Sequence, residues 1–331
     1  MQDWSRGWTP PDYRVDGDGK VIGATNPRAP HNWGRWGDLD ELGTVNYITA
    51  KVRLAAAELV TTGEVVSCAI PIGDEMPVHP SRPAVVHTHA LTGTDVVAGF
   101  VADRASGGFH GADDYVFMPL QSGTHWDGLT HGFGASTMYN GFWIGNVGAD
   151  GARRLSTHLL ADHMTGRGVL LDLPRAAGVD RLPGGHAITP AELDACAHAQ
   201  NVELRSGDIL LIRTGELGWF YSLDDKAPYW SGIHAGLSIT TVDWIHRNEI
   251  AAIGIDNRTF EVTPFEPGHQ ETYPLHARLI RDLGLTIGEL WWLDDLAEVC
   301  ARDDRWEFML TAPPLTVTGS SGSPVSPLAF F

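Results

Sequence analysis

Apolar positions along this chain fall in short runs that alternate between strand and helix spacing, with no internal repeat. From Thr49 to Val60, the residues Val52, Leu54, Ala55, Ala56, Leu59 and Val60 suit a helix, and Gly63 supplies its stop. Glu64–Ile72 reads as a strand, as do Val85–Leu91, which alternates around His87 and His89, and Tyr115–Leu120. Val169–Leu173 and Asp208–Thr214 are unbroken apolar runs bounded by glycine and polar residues, the pattern of central strands buried on both faces. Between them Thr189-Pro190-Ala191-Glu192 opens a helix, with Thr189 as N-cap and Pro190 at the first helical position. A helix over about Thr240–Asn248, a strand over Ile250–Asp256, helices over Tyr273–Leu283 and Gly288–Val299, and a strand over Trp306–Leu310 complete the order.

This alternation predicts an α/β fold. Residues 1–45 hold Pro10, Pro11, Pro27 and Pro30 among scattered tryptophans and read as an irregular N-terminal arm packed on the body, leaving 46–331 as a single domain. Thr318–Pro324 has linker composition, but Val325, Leu328, Phe330 and Phe331 argue against a free tail. The charge balance of 23 basic against 41 acidic residues, formally −18, disfavours nucleic acid and anionic membranes as partners and leaves small molecules open. The three cysteines, Cys68, Cys196 and Cys300, show no C-x-x-C spacing and are expected as buried thiols. No run approaches the ~20 apolar residues of a membrane span, and Met1–Lys20 lacks a signal-peptide core, so a cytoplasmic location is expected.

Candidate chemistry concentrates between Gln121 and His131, in Gln121-Ser122-Gly123-Thr124-His125-Trp126-Asp127-Gly128-Leu129-Thr130-His131. Two imidazoles, a carboxylate and an amide so close together are costly to bury unpaired, and a divalent cation is the usual way to neutralise and orient them. With a turn at Gly123 after the strand Tyr115–Leu120, the side chains of Gln121, His125 and Asp127 are expected to converge as ligands. His131, past Gly128, is left free to move protons near neutral pH. Trp126, between two expected ligands, is read as a wall of the substrate pocket, with Phe109 and Trp219 as weaker candidates and Phe220 and Tyr229 beside them. His87 and His89 share a strand face but stay outside the ligand set; His79, His110, His234 and His269 have no partner spacing. Asp256, at a strand end, either supports the site or caps a turn.

The segment resembles the cyclase family of metal-dependent hydrolases, which includes bacterial kynurenine formamidase and isatin hydrolase and whose hallmark is H-x-G-T-H-x-D-x-x-x-H. Every fixed position matches except the first, where Gln121 stands for histidine. The stretch Trp36–Asn46 resembles the opening of longer members, His276-Ala277-Arg278-Leu279-Ile280 with Glu289 resembles the downstream His and Glu, and Gly322-Ser323-Pro324 the closing segment. The resemblance implies a swivelling β/β/α domain, a homodimer or homotetramer, His125 and Asp127 as metal ligands, His131 as catalytic acid/base, and His276 and Glu289 completing the site. His276 is assigned to the metal; Glu289 either holds the metal or orients water. A neutral amide at 121 shifts preference towards hard ions, so the expected cofactor is Mn2+ or Zn2+.

The expected activity is a metal-dependent hydrolase (an amidohydrolase) that uses metal-bound water to cleave a C–N bond in a cyclic amide, imide or N-acyl small molecule, with aromatic walls that suit a cyclic or aromatic substrate. A lactone or ester hydrolase, a non-hydrolytic cyclase or dehydratase, and a nonenzymatic binding module are the alternatives that the sequence leaves open.

Overall fold

The computed structural model describes residues 14–100, 109–132, 134, 136–230, 232–268 and 272–331, so residues 1–13 of the expected arm and His269 lie outside the described residues. In chain order the strands are β1 Val65–Ser67, β2 Val86–His89, β3 Asp114–Phe117, β4 His125–Asp127, β5 Thr165–Asp172, β6 Ile209–Arg213, β7 Ala252–Ile255, β8 Thr286–Glu289, β9 Glu307–Thr311, β10 Gly322–Pro324 and β11 Leu328–Phe330. Nine of these form one mixed sheet in the order β1-β11-β9-β5-β6-β7-β8-β4-β10. Its centre, β5 to β8, is parallel, and antiparallel strands extend it on both sides. Parallel neighbours require crossover connections. Here these carry α2 Pro190–Ala199 after β5, α3 Glu216–Ser222 and α4 Thr241–Arg247 after β6, and the helical stretch Pro274–Leu283 after β7, with α1 Ala50–Ala57 preceding the sheet and α5 Asp294–Asp303 following β8. The fold class is mixed α/β, as expected from the alternating pattern.

Strand periodicity divides the core between the two faces of the sheet. Val169, Leu171, Leu210, Ile212, Ile253, Ile255 and Ile287 pack on one side, while Leu170, Ile209, Leu211 and Ala252 pack on the other with Trp126, Trp291 and Phe308. The unbroken apolar runs of β5 and β6 follow from burial on both faces. The expected start of α2 is present: Thr189 Oγ1 accepts from Glu192 N, and Glu192 Oε2 accepts from Thr189 N at 2.8 Å, a reciprocal capping box. All three cysteines are buried and free, and burial pushes the Cys68 thiol up to about 12.

Three elements differ from the pattern reading. Tyr115–Leu120 does not feed the sheet; β3 pairs only with β2 in an exposed hairpin carrying Val86, Tyr115, Val116 and Phe117 outward. The ligand segment is a strand of the main sheet, β4, rather than a turn beyond a strand. Gly288–Val299 is not one helix: Thr286–Glu289 forms β8 and the helix begins at Asp294. β-Branched Thr286 and Ile287 and the parallel pairing with β7 override the helical spacing.

Segment 32–44 is stitched to the turn after the Pro274–Leu283 helix. Asn32 Nδ2 donates to Leu283 O at 2.9 Å, Trp33 Nε1 to Arg281 O at 2.7 Å, and Thr44 N to Gly284 O at 2.9 Å. The apolar stretch near residue 330 is also built in, with β11 between β1 and β9 and Phe331 buried. No helix among the described residues is long and apolar enough to cross a membrane.

Candidate metal centre

Strand β4 is only three residues long, and its neighbours fix what each residue faces. In the antiparallel register β8 sets Glu289 opposite His125 and Ile287 opposite Asp127; on the other edge β10 sets Pro324 opposite His125 and Gly322 opposite Asp127. Paired residues share a face, and successive residues along a strand point to opposite faces. His125, Asp127 and Glu289 therefore meet on one side, and Trp126 points to the other. The approach to β4 is equally determined. Gly123 takes φ +64°, where a side chain is strained and a Cβ would also strike Met76. Thr124 is buried because its hydroxyl joins two segments, donating to Leu290 O at 2.7 Å and accepting from Ile70 N at 3.0 Å.

The Gly123 carbonyl fixes which tautomer the His125 ring adopts. Its Nδ1 lies 2.7 Å from Gly123 O, and a carbonyl can only accept, so Nδ1 carries a proton and, in the neutral ring, Nε2 shows a lone pair. That lone pair faces Asp127 Oδ1 at 3.6 Å and Glu289 Oε2 at 3.7 Å. Both His125 Nε2 and Asp127 Oδ1 are buried without a hydrogen-bond partner. One ligand atom from each of His125, Asp127 and Glu289 falls within 4.8 Å of the others. An imidazole lone pair and two carboxylates packed together repel unless a cation lies between them. The donor set fits a divalent cation.

Two further histidines flank this trio. His131 Nε2 is 3.7 Å from Asp127 Oδ1 and its side chain is 31% exposed, so it meets both the cluster and the cavity. His276 Nδ1 is held by Glu261 Oε1 at 2.6 Å, and its Nε2 lies 3.5 Å from Glu289 Oε1. Burial opposes charge on His276, but the hydrogen bond to Glu261 and the negative charge of Glu289 outweigh it and hold its pKa up at about 10. Burial alone would raise the Asp127 carboxyl; the positive charge of neighbouring imidazoles, His131 foremost, outweighs it and keeps it below the usual carboxylate range.

The cluster opens into a cavity of about 200 Å³ that brings together Gln121, His125, Asp127, His131, His276 and Glu289. Glycine at 322 leaves room for Gln121, since a Cβ there would come within 2.6 Å of the Gln121 Nε2. The three expected substrate walls are not among the residues lining this cavity. Trp126 is fully buried on the opposite face of β4, its ring centroid 4.6 Å from that of Trp291 and its Nε1 donating to Ala312 O at 2.8 Å. The strand alternation that makes its neighbours converge turns Trp126 away. Phe109 is 81% exposed, and Trp219 packs in a satellite cluster under the Arg181 guanidinium.

The aromatic walls are instead Trp230 and Tyr273. Tyr273 is not marked as a site residue by the sequence, nor are His79, Arg82, Arg258 and Thr259, which line the same cavity. Trp230 ends an aromatic-rich stretch that also holds Trp219, Phe220, Tyr221 and Tyr229, a composition that suits a pocket wall. The others sit singly in loops, and no spacing marks them. Asp256 caps a turn: its carboxylate accepts from Thr214 N and Oγ1 at 2.7 and 2.6 Å and from Gly215 N at 2.7 Å. His87, His89 and Asp114 form a second group of ligand-type side chains, exposed on the β2–β3 hairpin, where His87 Nε2 pairs with Asp114 Oδ2 at 2.7 Å.

The Cyclase family model matches residues 66–262, which include the motif and most of the sheet centre. A solved structure described as a novel cyclase is 41% identical to this chain, covers 91% of it and 99% of its own length, and superimposes with a TM-score of 0.85. The chain belongs to the cyclase family. No curated protein matches it. An isatin hydrolase bound to the product analogue thioisatinate shares the fold; it is 20% identical, covering 85% of this chain and 98% of its own at a TM-score of 0.57. Isatin hydrolase A from Ralstonia solanacearum is 18% identical, covering 85% and 97% at a TM-score of 0.58. These two share the cyclase fold, and the motif through which the sequence resembles the family is the one that supplies β4.

Proposed function

We propose that this member of the cyclase family is a metal-dependent hydrolase that cleaves a C–N bond in a cyclic amide, imide or N-acyl small molecule. The observation that carries the reading is the pair of buried, partnerless atoms, His125 Nε2 and Asp127 Oδ1, facing each other and Glu289. His125, Asp127 and Glu289 would hold the cation, with Gln121 and His276 at its border; imidazole, carboxylate and amide donors together suit Mn2+ or Zn2+. A divalent ion of this kind lowers the pKa of bound water from about 15.7 towards ~7 and polarises a carbonyl oxygen.

The remaining work falls to the protein's own side chains. His131 reaches the cavity from beside Asp127 and is the group that delivers a proton to the leaving nitrogen as the C–N bond breaks. Glu261 fixes the ring of His276 through Nδ1 and so directs its Nε2 at Glu289. Trp230 and Tyr273 offer flat surfaces for a cyclic or aromatic substrate. An isatin hydrolase of the same fold that holds the product analogue thioisatinate supports that substrate shape.

The test is a screen of cyclic amides, formamides and lactones with metal-reconstituted protein. Turnover should disappear in chelator, return with Mn2+ or Zn2+, and place one oxygen from heavy-oxygen water in the product; unlabelled product would exclude hydrolysis. His131→Ala should keep its cation and lose roughly 100-fold or more of kcat, and an unchanged kcat would remove His131 from proton transfer.

A further inference from the structure

Two guanidinium groups, Arg82 and Arg258, line the cavity above the candidate metal centre. Neither has a carboxylate partner among the described residues: Arg82 Nη1 donates to Gln121 O, and Arg258 Nε donates to His234 Nε2 at 2.9 Å. Guanidinium stays charged at any ordinary pH, so a cleft that keeps two of them unneutralised favours an anion. Asp127 and Glu289 do not supply it, because a divalent cation between them would take up both of their charges.

The way Arg258 is held points the same way. Glu216 and His234 are both completely buried, and Glu216 Oε2 lies 2.9 Å from His234 Nδ1. The carboxylate accepts the Nδ1 proton, which leaves the His234 Nε2 lone pair to accept from Arg258 Nε. The imidazole thus orients Arg258 while keeping the Glu216 charge one ring away, and that carboxylate is also shared with Arg181 Nη1 at 3.3 Å. Arg258 further lies over Trp230, 5.3 Å from the ring centroid, and its two Nη groups have no hydrogen-bond partner among the described residues. The His79 imidazole reports where the two arginines meet: burial lowers its pKa first, and the charges of Arg258 and Arg82 lower it further.

We propose that Arg258 and Arg82 form an anion-recognition subsite, so that the substrate carries a carboxylate in addition to its scissile bond. This rests on the hydrolase reading for what is cleaved, but the subsite itself is testable without turnover. Glu216 and His234 are positioning residues for Arg258.

Benzoate and benzamide, matched in shape and differing in charge, are the probes, titrated calorimetrically into the full chain dialysed against Mn2+. Benzoate should bind at least about ten-fold more tightly than benzamide, in line with a charge-assisted hydrogen bond. Arg258→Gln should bring the two to within about three-fold at unchanged benzamide affinity, and Arg82→Gln should narrow the gap. His234→Leu should lose the preference at unchanged benzamide affinity, whereas His234→Gln, which keeps an acceptor, should retain it; a merely structural role would weaken both probes together. Equal binding of the probes, no saturable benzoate binding, or a preference that survives Arg258→Gln, with the anion then on the metal, would overturn the proposal. A protein that hydrolyses nothing in the substrate screen could still pass this test, so the two readings fail separately.

Discussion

His125 shows its unprotonated nitrogen to two carboxylates, so removing any one of the three donors acts first on cation affinity. His125→Ala and Asp127→Asn should each weaken Mn2+ binding by more than the roughly 10–100-fold that loss of a supporting partner costs, as read by calorimetric titration of protein whose fold is checked by circular dichroism. Affinity unchanged in both would place the ion elsewhere. Asp256 makes a different prediction. Burial pushes its carboxyl up to about 7 against the hydrogen bonds from Thr214, while an unfolded aspartate titrates near ~3.9. The folded state therefore holds this proton more tightly, and the contribution is complete below pH ~4 and lost as pH rises through about 7. The stability of the protein relative to Asp256→Asn, from urea unfolding, should fall across that window; a flat or rising difference would contradict it. At this scale His125, Asp127, His131, His276 and Glu289 were legible because their types and intervals match a family pattern. Arg82 and Arg258 were not, since single cations in loops acquire meaning only through what the fold sets beside them.

Secondary structure places those residues through register more than through propensity. Strand β4 is too short for its alternation to stand out, and Trp126 between two ligands invited the inference that all three share a pocket. Pairing with β8 decides the matter, and β8 itself was hidden inside a span with helical spacing. Its β-branched residues before Gly288 were the available signal. Gly288 is where the element is least forgiving: a Cβ would lie 2.7 and 2.8 Å from Trp126 ring carbons and would also strike the Trp291 indole nitrogen. Gly288→Ala should destabilise the protein by about 1–3 kcal/mol and weaken Mn2+ binding by shifting Glu289. Denaturant unfolding and metal titration measure the two effects, and an alanine variant with native stability would show that the indoles move aside freely. By contrast the start of α2 was fully legible, because a capping box is local and needs no partner strand.

At the scale of the molecule, one sheet gathers strands from remote parts of the chain, and the segment with linker composition proves to be structural. Residues 322–324 form β10 beside β4, and 328–330 form β11 between β1 and β9. Deleting residues 319–331 should remove both strands and cost more than the ~5–15 kcal/mol that keeps a typical domain folded, giving an insoluble or protease-sensitive product. A soluble truncation with a cooperative melt would show that the sheet closes without them. The same topology sets an order in time. Chains leave the ribosome at ~5–20 residues per second, with earlier segments free to fold first, and β4 is made long before the two strands that flank it. His125 and Asp127 consequently wait, unassembled, until Glu289 and then Gly322–Pro324 have been synthesised, and the nascent chain has no finished centre to capture an ion. Choice of any metal thus belongs to a chain folded at least through Pro324 and to whichever ion is available at that point.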